Sequence, residues 1–260
     1  MQNGKIIKKV PFPSPNPHVE LYEVVYFSEG LAVKGMLAEP KNNKVYDGFL
    51  YLRGGIKGVG MVRPARIAQF AQEGFIVFAP YYRGNLGGQG QEDFAGDDRW
   101  DAFSGFELLK GYQGVHPKRI HVFGFSRGGV MALLTGIHKQ DATSIVTWGG
   151  VSDMFLTYEE RKDLRRMMKR VIGSPNKYPE RYEWRTPLYH IDRIQAPVLI
   201  IHGEEDQNVS IEHGKRLEKR LEELNKAVET KYFKGFTHYF PPATNREIVV
   251  MLCEWMKRQR

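Results

Sequence analysis

Short runs of apolar residues alternate along the chain with longer segments in which apolar residues recur at helical spacing. The apolar runs cover residues 49–52, 75–79, 120–124, 144–148 and 198–202. Runs that are apolar throughout are typical of strands covered on both faces. The helical spacing covers residues 64–72, 99–110, 127–137, 211–225 and 245–257. Repeated strand and helix units predict an α/β fold, with a mostly parallel sheet and helices on both of its faces.

Both ends of this pattern add strands. Residues 20–27 and 33–38 predict an antiparallel hairpin joined at Glu29-Gly30, and residues 229–233 predict a final strand. The sheet is therefore expected to have eight strands. The proline-spaced segment at residues 11–17 predicts extended backbone packed on the surface.

The alternation pauses between Ser152 and Pro197, where charged, helix-like sequence replaces a short connection. Connections of this length in compact domains are usually functional. We interpret residues 1–260 as one domain, in which about residues 152–190 form a small cap over the carboxyl ends of the strands. That edge is where open sheets bind ligands.

The net charge is +8, from 38 Lys and Arg residues against 30 Asp and Glu residues. The basic residues are scattered, and their densest group, at 161–170, is typical of a solvated helix face, so no nucleic-acid partner is predicted. No apolar run approaches the ~18 residues that span a bilayer, and the N-terminus lacks the apolar core of a secretory signal. We expect a cytoplasmic protein with no membrane partner, either a monomer or a homodimer.

The one cysteine, Cys253, lies in an apolar, helix-like stretch and is expected to be a core residue. A lone cysteine forms no intrachain disulfide and no thiolate metal site, and the histidines lack metal-ligand spacing. Neither a metal nor an organic cofactor is therefore expected.

The strongest chemical signal is Gly124-Phe125-Ser126-Arg127-Gly128, which follows an apolar strand and precedes a helix. A G-x-S-x-G sequence in this context forms a sharp turn that lifts the serine hydroxyl out of the sheet. Glycine on both sides lets the strand and the helix approach closely. Ser126 is therefore predicted to be a nucleophile, and the alternative is an inert serine in a glycine-rich turn.

A serine nucleophile needs a base that removes its proton and an acid that orients the base, and after such a turn both follow along the chain. Asp206 lies on the loop that leaves the last long apolar strand. Glu204 and Glu205 are its rivals on the same loop. Asp153 and Asp192 are less well placed, because neither directly follows that strand.

Two histidines follow Asp206. His213 lies in a helix-like segment, whereas His238 lies in a loop between the last strand and the last helix. A loop there brings an imidazole between Ser126 and Asp206. We predict a catalytic triad of Ser126 as nucleophile, His238 as general base and Asp206 as the residue that orients the histidine.

An oxyanion hole requires two N–H donors aimed at the developing negative charge. One donor is expected to be the backbone N–H of Arg127, the residue after the nucleophile. The other is expected from the glycine-rich loop at residues 53–58, directly after a strand. Gly55 is the predicted donor, and Ile56 is the alternative.

Six segments carry a resemblance to a known family: YLRGG, APYYRGNLGGQG, the acidic GDD at 96–98, HPKRIHVFGFSRGG, the run from GSPNKY to EEDQNV, and GFTHYF. In this order they resemble the catalytic domain of the prolyl oligopeptidase family and the stand-alone esterases close to it. The resemblance covers the chain from Glu20 onward. It implies the α/β-hydrolase fold and a serine hydrolase that works through an acyl-enzyme.

Three features depart from the pattern of this family. The 260 residues are expected to lack the N-terminal β-propeller of the oligopeptidases. Arg53 stands where an H-G-G run often has histidine, and Arg127 stands where tyrosine or another large neutral residue is more usual. The side chain of Arg127 is expected to pair with a surface carboxylate, and the alternative is attraction of an acidic substrate.

Small carboxylic esters are the favoured substrates, because the chain has no propeller and no evident pair of glutamates that would bind a substrate amine. A serine peptidase acting on short peptides, as an aminopeptidase or acyl-peptide hydrolase, is the alternative. A non-catalytic binding module on the same fold is the alternative from another class. The acyl pocket is expected to be lined by Tyr82, Val151, Met154 and Phe155.

Overall fold

A computed structural model describes residues 2–42 and 44–259. Its centre is one sheet with the spatial order β1-β2-β3-β5-β4-β6-β7-β8-β9. The strands β1 to β3 run antiparallel to one another, β3 is antiparallel to β5, and the remaining pairs are parallel. The strands are β1 (Ile6–Phe12), β2 (Val19–Ser28), β3 (Leu31–Pro40), β4 (Tyr46–Leu52), β5 (Phe75–Pro80), β6 (Val115–Phe125), β7 (Ser144–Trp148), β8 (Val198–Gly203) and β9 (Val228–Phe233). This is the α/β-hydrolase arrangement that the sequence predicts.

The predicted N-terminal hairpin is confirmed as β2 and β3. Its two turn residues have positive φ, 45° at Glu29 and 81° at Gly30, as the tightest hairpin turns require. The expected count of eight strands is too low, because residues 6–12 form a ninth strand at the edge of the sheet. Pro11 is compatible with this edge position, since one side of an edge strand needs no backbone donors.

The helices cover both faces of the sheet, as predicted. Helices α2, α3 and α7 pack on one face, and α1 and α8 pack on the other, so that two apolar cores lie on opposite sides of the strands. The helices outside the β7–β8 connection are α1 (Pro64–Gln72), α2 (Arg99–Gly111), α3 (Gly128–His138), α7 (Ile211–Glu223) and α8 (Pro242–Arg258). Cys253 on α8 is fully buried, as expected.

The long connection between β7 and β8 contains three short helices and a 3-10 helix. These are α4 (Met154–Glu160), α5 (Arg165–Val171), α6 (Pro179–Glu183) and the 3-10 helix Pro187–Arg193. Met168 and Tyr182 anchor the connection in the core. The assignment of residues 152–190 as a cap stays a prediction. Among the described residues, no helix is both long and apolar enough to cross a membrane.

Candidate active site

Ser126 lies at the sharp turn between β6 and α3. Its φ is 58°, in the left-handed region that is strained for a residue with a side chain. The turn closes only because its flanking residues are glycine: a Cβ on Gly124 would lie 2.0 Å from the carbonyl oxygen of Gly128, and a Cβ on Gly128 would lie 2.0 Å from that of Leu52. The N–H of Ser126 donates to the carbonyl of Trp148 over 3.1 Å, which fixes the turn against β7.

Asp206 and His238 form a close pair on the loops after β8 and β9. The Nδ1 atom of His238 lies 2.6 Å from Oδ2 of Asp206. The other carboxylate oxygen, Oδ1, accepts the backbone N–H groups of Asn208 and Val209 at 2.8 and 2.9 Å. Both oxygens of the carboxylate are therefore held, so its orientation and that of the imidazole are fixed.

Ser126 and His238 line the same cavity, whose volume is about 350 Å³. The hydroxyl of Ser126 forms no hydrogen bond with the residues at 2–42 and 44–259. Hydrogen bonds between catalytic groups are often long in the absence of substrate and tighten in the complex. The chain thus brings the three predicted triad residues to one place, with the acid–base pair formed.

The rival acids and the rival base lie elsewhere. Glu204 and Glu205 are exposed, and Asp153 accepts the N–H groups that begin α4. His213 is buried, and its Nδ1 accepts the N–H of Ser152 over 3.2 Å. Burial lowers the pKa of His213 to about 3, so the ring is neutral and structural. Asp192 is exposed on the 3-10 helix.

The glycine-rich loop after β4 passes directly over the nucleophile. A Cβ on Gly54 would lie only 2.6 Å from that of Ser126, so a side chain there would displace the loop. Gly55 has a φ of 67° and lines the cavity together with Ile56 and Arg127. Within the described residues the amides of Gly55, Ile56 and Arg127 have no hydrogen-bond acceptor. Gly55 and Ile56 therefore both stay candidates for the second oxyanion donor.

Arg53, which follows β4, is 1% exposed and holds this loop from below. Its guanidinium donates to the carbonyls of Gly54 and Tyr81 and to the carboxylate of Glu92, at 2.9, 3.0 and 3.1 Å. Glu92 also accepts the backbone N–H of Lys57 over 2.7 Å. A histidine could not make this set of contacts, because it lacks the forked donors of a guanidinium.

The side chain of Arg127 is buried in the same cluster, so the expected surface partner is wrong. Its Nη2 donates to Glu92, and its Nη1 donates to Asp98 over 3.0 Å. Both carboxylates are almost fully buried. Burial opposes the charge of Arg127, and yet Asp98 and Glu92 hold its pKa above the ordinary value. Burial raises the pKa of Asp98 to about 7.

Of the four residues predicted to line the acyl pocket, only Val151 lines the cavity over Ser126. Tyr82 is fully buried with its ring 4.8 Å from the guanidinium of Arg127, and it supports that side chain instead. Met154 is fully buried in the core. Phe155 packs on the ring of Tyr182, with the ring centres 5.3 Å apart. Met154 and Phe155 lie on the first turn of α4, and the sequence pattern did not show which side of that turn faces the core.

Several residues that sequence reasoning missed complete the wall of this cavity. They come from β4, from the loop before α1 and its first turn, from the loop before α2, from the elbow, from the α4–α5 region and from the loops of Asp206 and His238. Their residue types are apolar, aromatic, neutral polar and basic, and none is acidic. They are Tyr51, Val59, Gly60, Met61, Arg63, Arg66, Phe94, Phe125, Thr157, Arg161, Leu164, Met167, Asn208, Val209 and Tyr239. In the part of the chain that the structure describes, no group of three His, Cys, Asp or Glu side chains could hold a metal ion.

Residues 61–260, more than three quarters of the chain, match the model of the prolyl oligopeptidase family. The chain belongs to the prolyl oligopeptidase family. Members of this family are serine hydrolases, and the protein is a serine hydrolase enzyme. The match includes the elbow, the loop of Asp206 and the loop of His238, whereas the glycine-rich loop at 53–58 lies before it.

The chain is similar to relatives that carry peptidase and esterase names. It is 64% identical over 256 residues to the "Uncharacterized peptidase YtmA" of Bacillus subtilis (strain 168), covering 98% of this chain and 100% of the relative. The acylaminoacyl peptidase of Pyrococcus horikoshii superposes with a TM-score of 0.81 at 22% identity, over 93% of this chain but only 42% of that protein. The acetyl xylan esterase of Paenibacillus sp. R4 superposes with a TM-score of 0.76 at 17% identity, over 95% and 88% of the two chains. At these identities the two structures show the shared fold alone.

Proposed function

We propose that this serine hydrolase cleaves small carboxylic esters through an acyl-enzyme formed on Ser126. The observation that carries the proposal is the Asp206–His238 pair, held at 2.6 Å beside the cavity that Ser126 also lines. A serine in a left-handed elbow, with a histidine and a buried carboxylate on the following loops, is the arrangement that acyl transfer requires.

The proposed reaction has two halves. His238 takes the proton of Ser126 as its oxygen attacks the substrate carbonyl, and Asp206 stabilises the imidazolium that forms. The N–H of Arg127, with that of Gly55 or Ile56, stabilises the oxyanion. His238 then gives its proton to the leaving group, and a water molecule repeats the sequence on the acyl-enzyme to regenerate Ser126.

The wall of the cavity favours esters over the substrates of an aminopeptidase. An aminopeptidase binds the ammonium group of its substrate with carboxylates, and no described residue lining this cavity is Asp or Glu. A serine peptidase that does not bind a free ammonium is the second candidate. It is supported by the peptidase name of the relative that is 64% identical.

The test compares wild type with Ser126→Ala on short-chain p-nitrophenyl esters and on aminoacyl p-nitroanilides. Loss of the nucleophile should lower kcat by about 10³-fold or more. Ser104→Ala is the matched control, because it removes another buried hydroxyl, on α2, that has no hydrogen-bond partner among the described residues.

Equal ester hydrolysis by wild type and Ser126→Ala would overturn the proposed mechanism. Turnover of the anilides at rates that rival the esters would overturn the substrate preference and favour the peptidase. Asp206→Asn is expected to lower kcat steeply as well, because an amide stabilises neither the tautomer nor the charge that His238 needs.

A further inference from the structure

A second cavity adjoins the one over Ser126, and His238 lines it. Its volume is about 610 Å³, and it shares Arg63, Arg66, Phe125, His238 and Tyr239 with the first cavity. Ser126 itself does not line it. The two cavities therefore adjoin each other, and His238 lines both of them; together they are called the groove.

The wall of this second cavity is strongly basic. Arg63, Arg66 and Arg246 line it, and none of its described lining residues is Asp or Glu. None of the three arginines forms an ion pair within residues 2–42 and 44–259. Arg66 instead donates to the neutral oxygens of Gln69 and Asn245, at 3.0 and 2.6 Å. No carboxylate therefore neutralises the charge of these side chains; Arg63 and Arg246 are exposed, whereas burial lowers the pKa of Arg66.

Two helices begin at the same cavity and add to its positive potential. The first turn of α1 contributes Ala65 and Arg66, and the first turn of α8 contributes Pro242 and Asn245. Neither first turn contains an acidic residue, and neither N-cap side chain accepts a helical N–H. Helix N-termini attract anions, so the helices and the arginines favour the same kind of ligand.

The position of the cavity indicates which part of a substrate would enter it. In the proposed mechanism His238 donates its proton to the leaving group, so the leaving group must contact the imidazole. His238 lines the second cavity, whereas Ser126 does not. A group that occupies it is therefore attached to the leaving group.

We propose that this cavity, lined by Arg63, Arg66 and Arg246, binds a carboxylate on the leaving-group side of the scissile bond. The proposal rests on the proposed function, because it takes the role of His238 from there. Arginine suits this task, since its planar donors match the two oxygens of a carboxylate. The preferred substrates are then acyl esters, or short peptides, whose leaving group carries a free carboxylate.

The experiment compares two esters that differ in the charge of the leaving group, 4-acetoxybenzoate and 4-acetoxybenzamide. Hydrolysis of each ester is followed by titrating the acetic acid that is released. Wild type should show the higher kcat/KM on the benzoate. Arg63→Gln combined with Arg66→Gln should lower kcat/KM on the benzoate by about tenfold and on the amide by less than about threefold. Arg258→Gln, at the opposite end of α8 from Arg246, removes the same formal charge and should leave both values unchanged.

A second measurement does not depend on turnover or on the stability of one variant. Ser126→Ala should bind 4-hydroxybenzoate more tightly than 4-hydroxybenzamide in calorimetric titrations, and Arg63→Gln in that background should remove the difference.

Equal binding of the two products, or equal loss of activity on both esters in the arginine variants, would overturn the subsite. A preference for a carboxylate on the acyl side only, tested with a succinate monoester, would overturn it as well. Hydrolysis that persists in Ser126→Ala would overturn the proposed function instead.

Discussion

Two pairs of arginines lie close to Ser126, and the protein holds them in opposite ways. Arg53 and Arg127 are almost fully buried and share the carboxylate of Glu92, and Arg127 also pairs with Asp98. Arg63 is exposed and Arg66 half-buried; both line the groove and have no carboxylate partner among the described residues. A buried charge is tolerated only when it is paired, so the first pair serves the structure. The second pair keeps its charge available for a ligand.

The largest expected effect comes from removing a buried arginine. Arg127→Met should lower the free energy of unfolding by about 3–5 kcal/mol, because it leaves Asp98 buried without its partner and weakens the hold on Glu92. Urea denaturation measures this change in the free energy of unfolding. Arg63→Met, the matched control in the groove, should change the stability by less than about 0.5 kcal/mol. A similar loss of stability in both variants would contradict the division into a structural pair, Arg53 and Arg127, and a ligand-binding pair, Arg63 and Arg66.

The buried cluster should also give stability a distinctive dependence on pH. Burial raises the pKa of Asp98 from 3.8 to about 7, so the folded protein binds this proton more tightly than the unfolded chain does. The contribution of Asp98 to stability is therefore full below about pH 4 and falls as the pH rises to about 7.

Asp98→Asn removes this titration. The free energy of unfolding of wild type, relative to that of the variant, should decrease between about pH 4 and about pH 7 and stay constant above. Urea denaturation of both proteins across that range measures the difference. If the free energies of unfolding of the two proteins changed with pH in parallel, Asp98 would be ionised across the whole range. Arg127 would then offset the full cost of burying the carboxylate.

Glu92 connects the buried arginines to the glycine-rich loop at residues 53–58, through its contacts with Arg53, Arg127 and the N–H of Lys57. Glu92→Gln should lower kcat on p-nitrophenyl acetate by about tenfold with little change in KM, because the loop that we propose to stabilise the oxyanion loses its support. Glu107→Gln, which breaks the ion pair with Lys139 at the surface, is the control and should have no effect. A change in KM alone would contradict this role.

The smallest expected effect is that of salt. Raising the ionic strength from about 0.01 M to about 1 M shortens the screening length from about 30 Å to about 3 Å, which weakens exposed charges and leaves buried pairs almost unaffected. The ratio of kcat/KM for the benzoate ester to that for the amide ester should therefore fall by about two- to threefold. An unchanged ratio would show that Arg63 and Arg66 do not attract the leaving group through their charge.

The fold, and the placement of Ser126, Asp206 and His238 near one another, could be predicted because their signals are local. The elbow at Ser126 needs glycine at fixed neighbouring positions, and the hairpin turn needs Glu29-Gly30 between two apolar runs. Strand β1 was missed because it lies at the edge, with mostly exposed side chains and a proline. The partners of Arg127 could not be predicted, since Glu92 and Asp98 reach it only through packing of the loop before α2.

The lining of the cavity over Ser126 was the least predictable part, because here too distant segments meet only through packing. Its wall is assembled from side chains of several segments that lie far apart in the sequence. Val151, in the loop before α4, lines the cavity, whereas Met154, the first residue of α4, is fully buried. Sequence spacing places a segment near the site without fixing which of its side chains face the substrate.

Covalent labelling of the nucleophile tests the central claim most directly. A fluorophosphonate should add one phosphonyl group to the wild-type protein, with loss of fluoride, and peptide mapping by mass spectrometry should locate it on Ser126. Ser126→Ala should remain unlabelled, and His238→Gln should react far more slowly, because the hydroxyl then lacks its base. Labelling at another residue, or labelling of Ser126→Ala at the wild-type rate, would contradict the account.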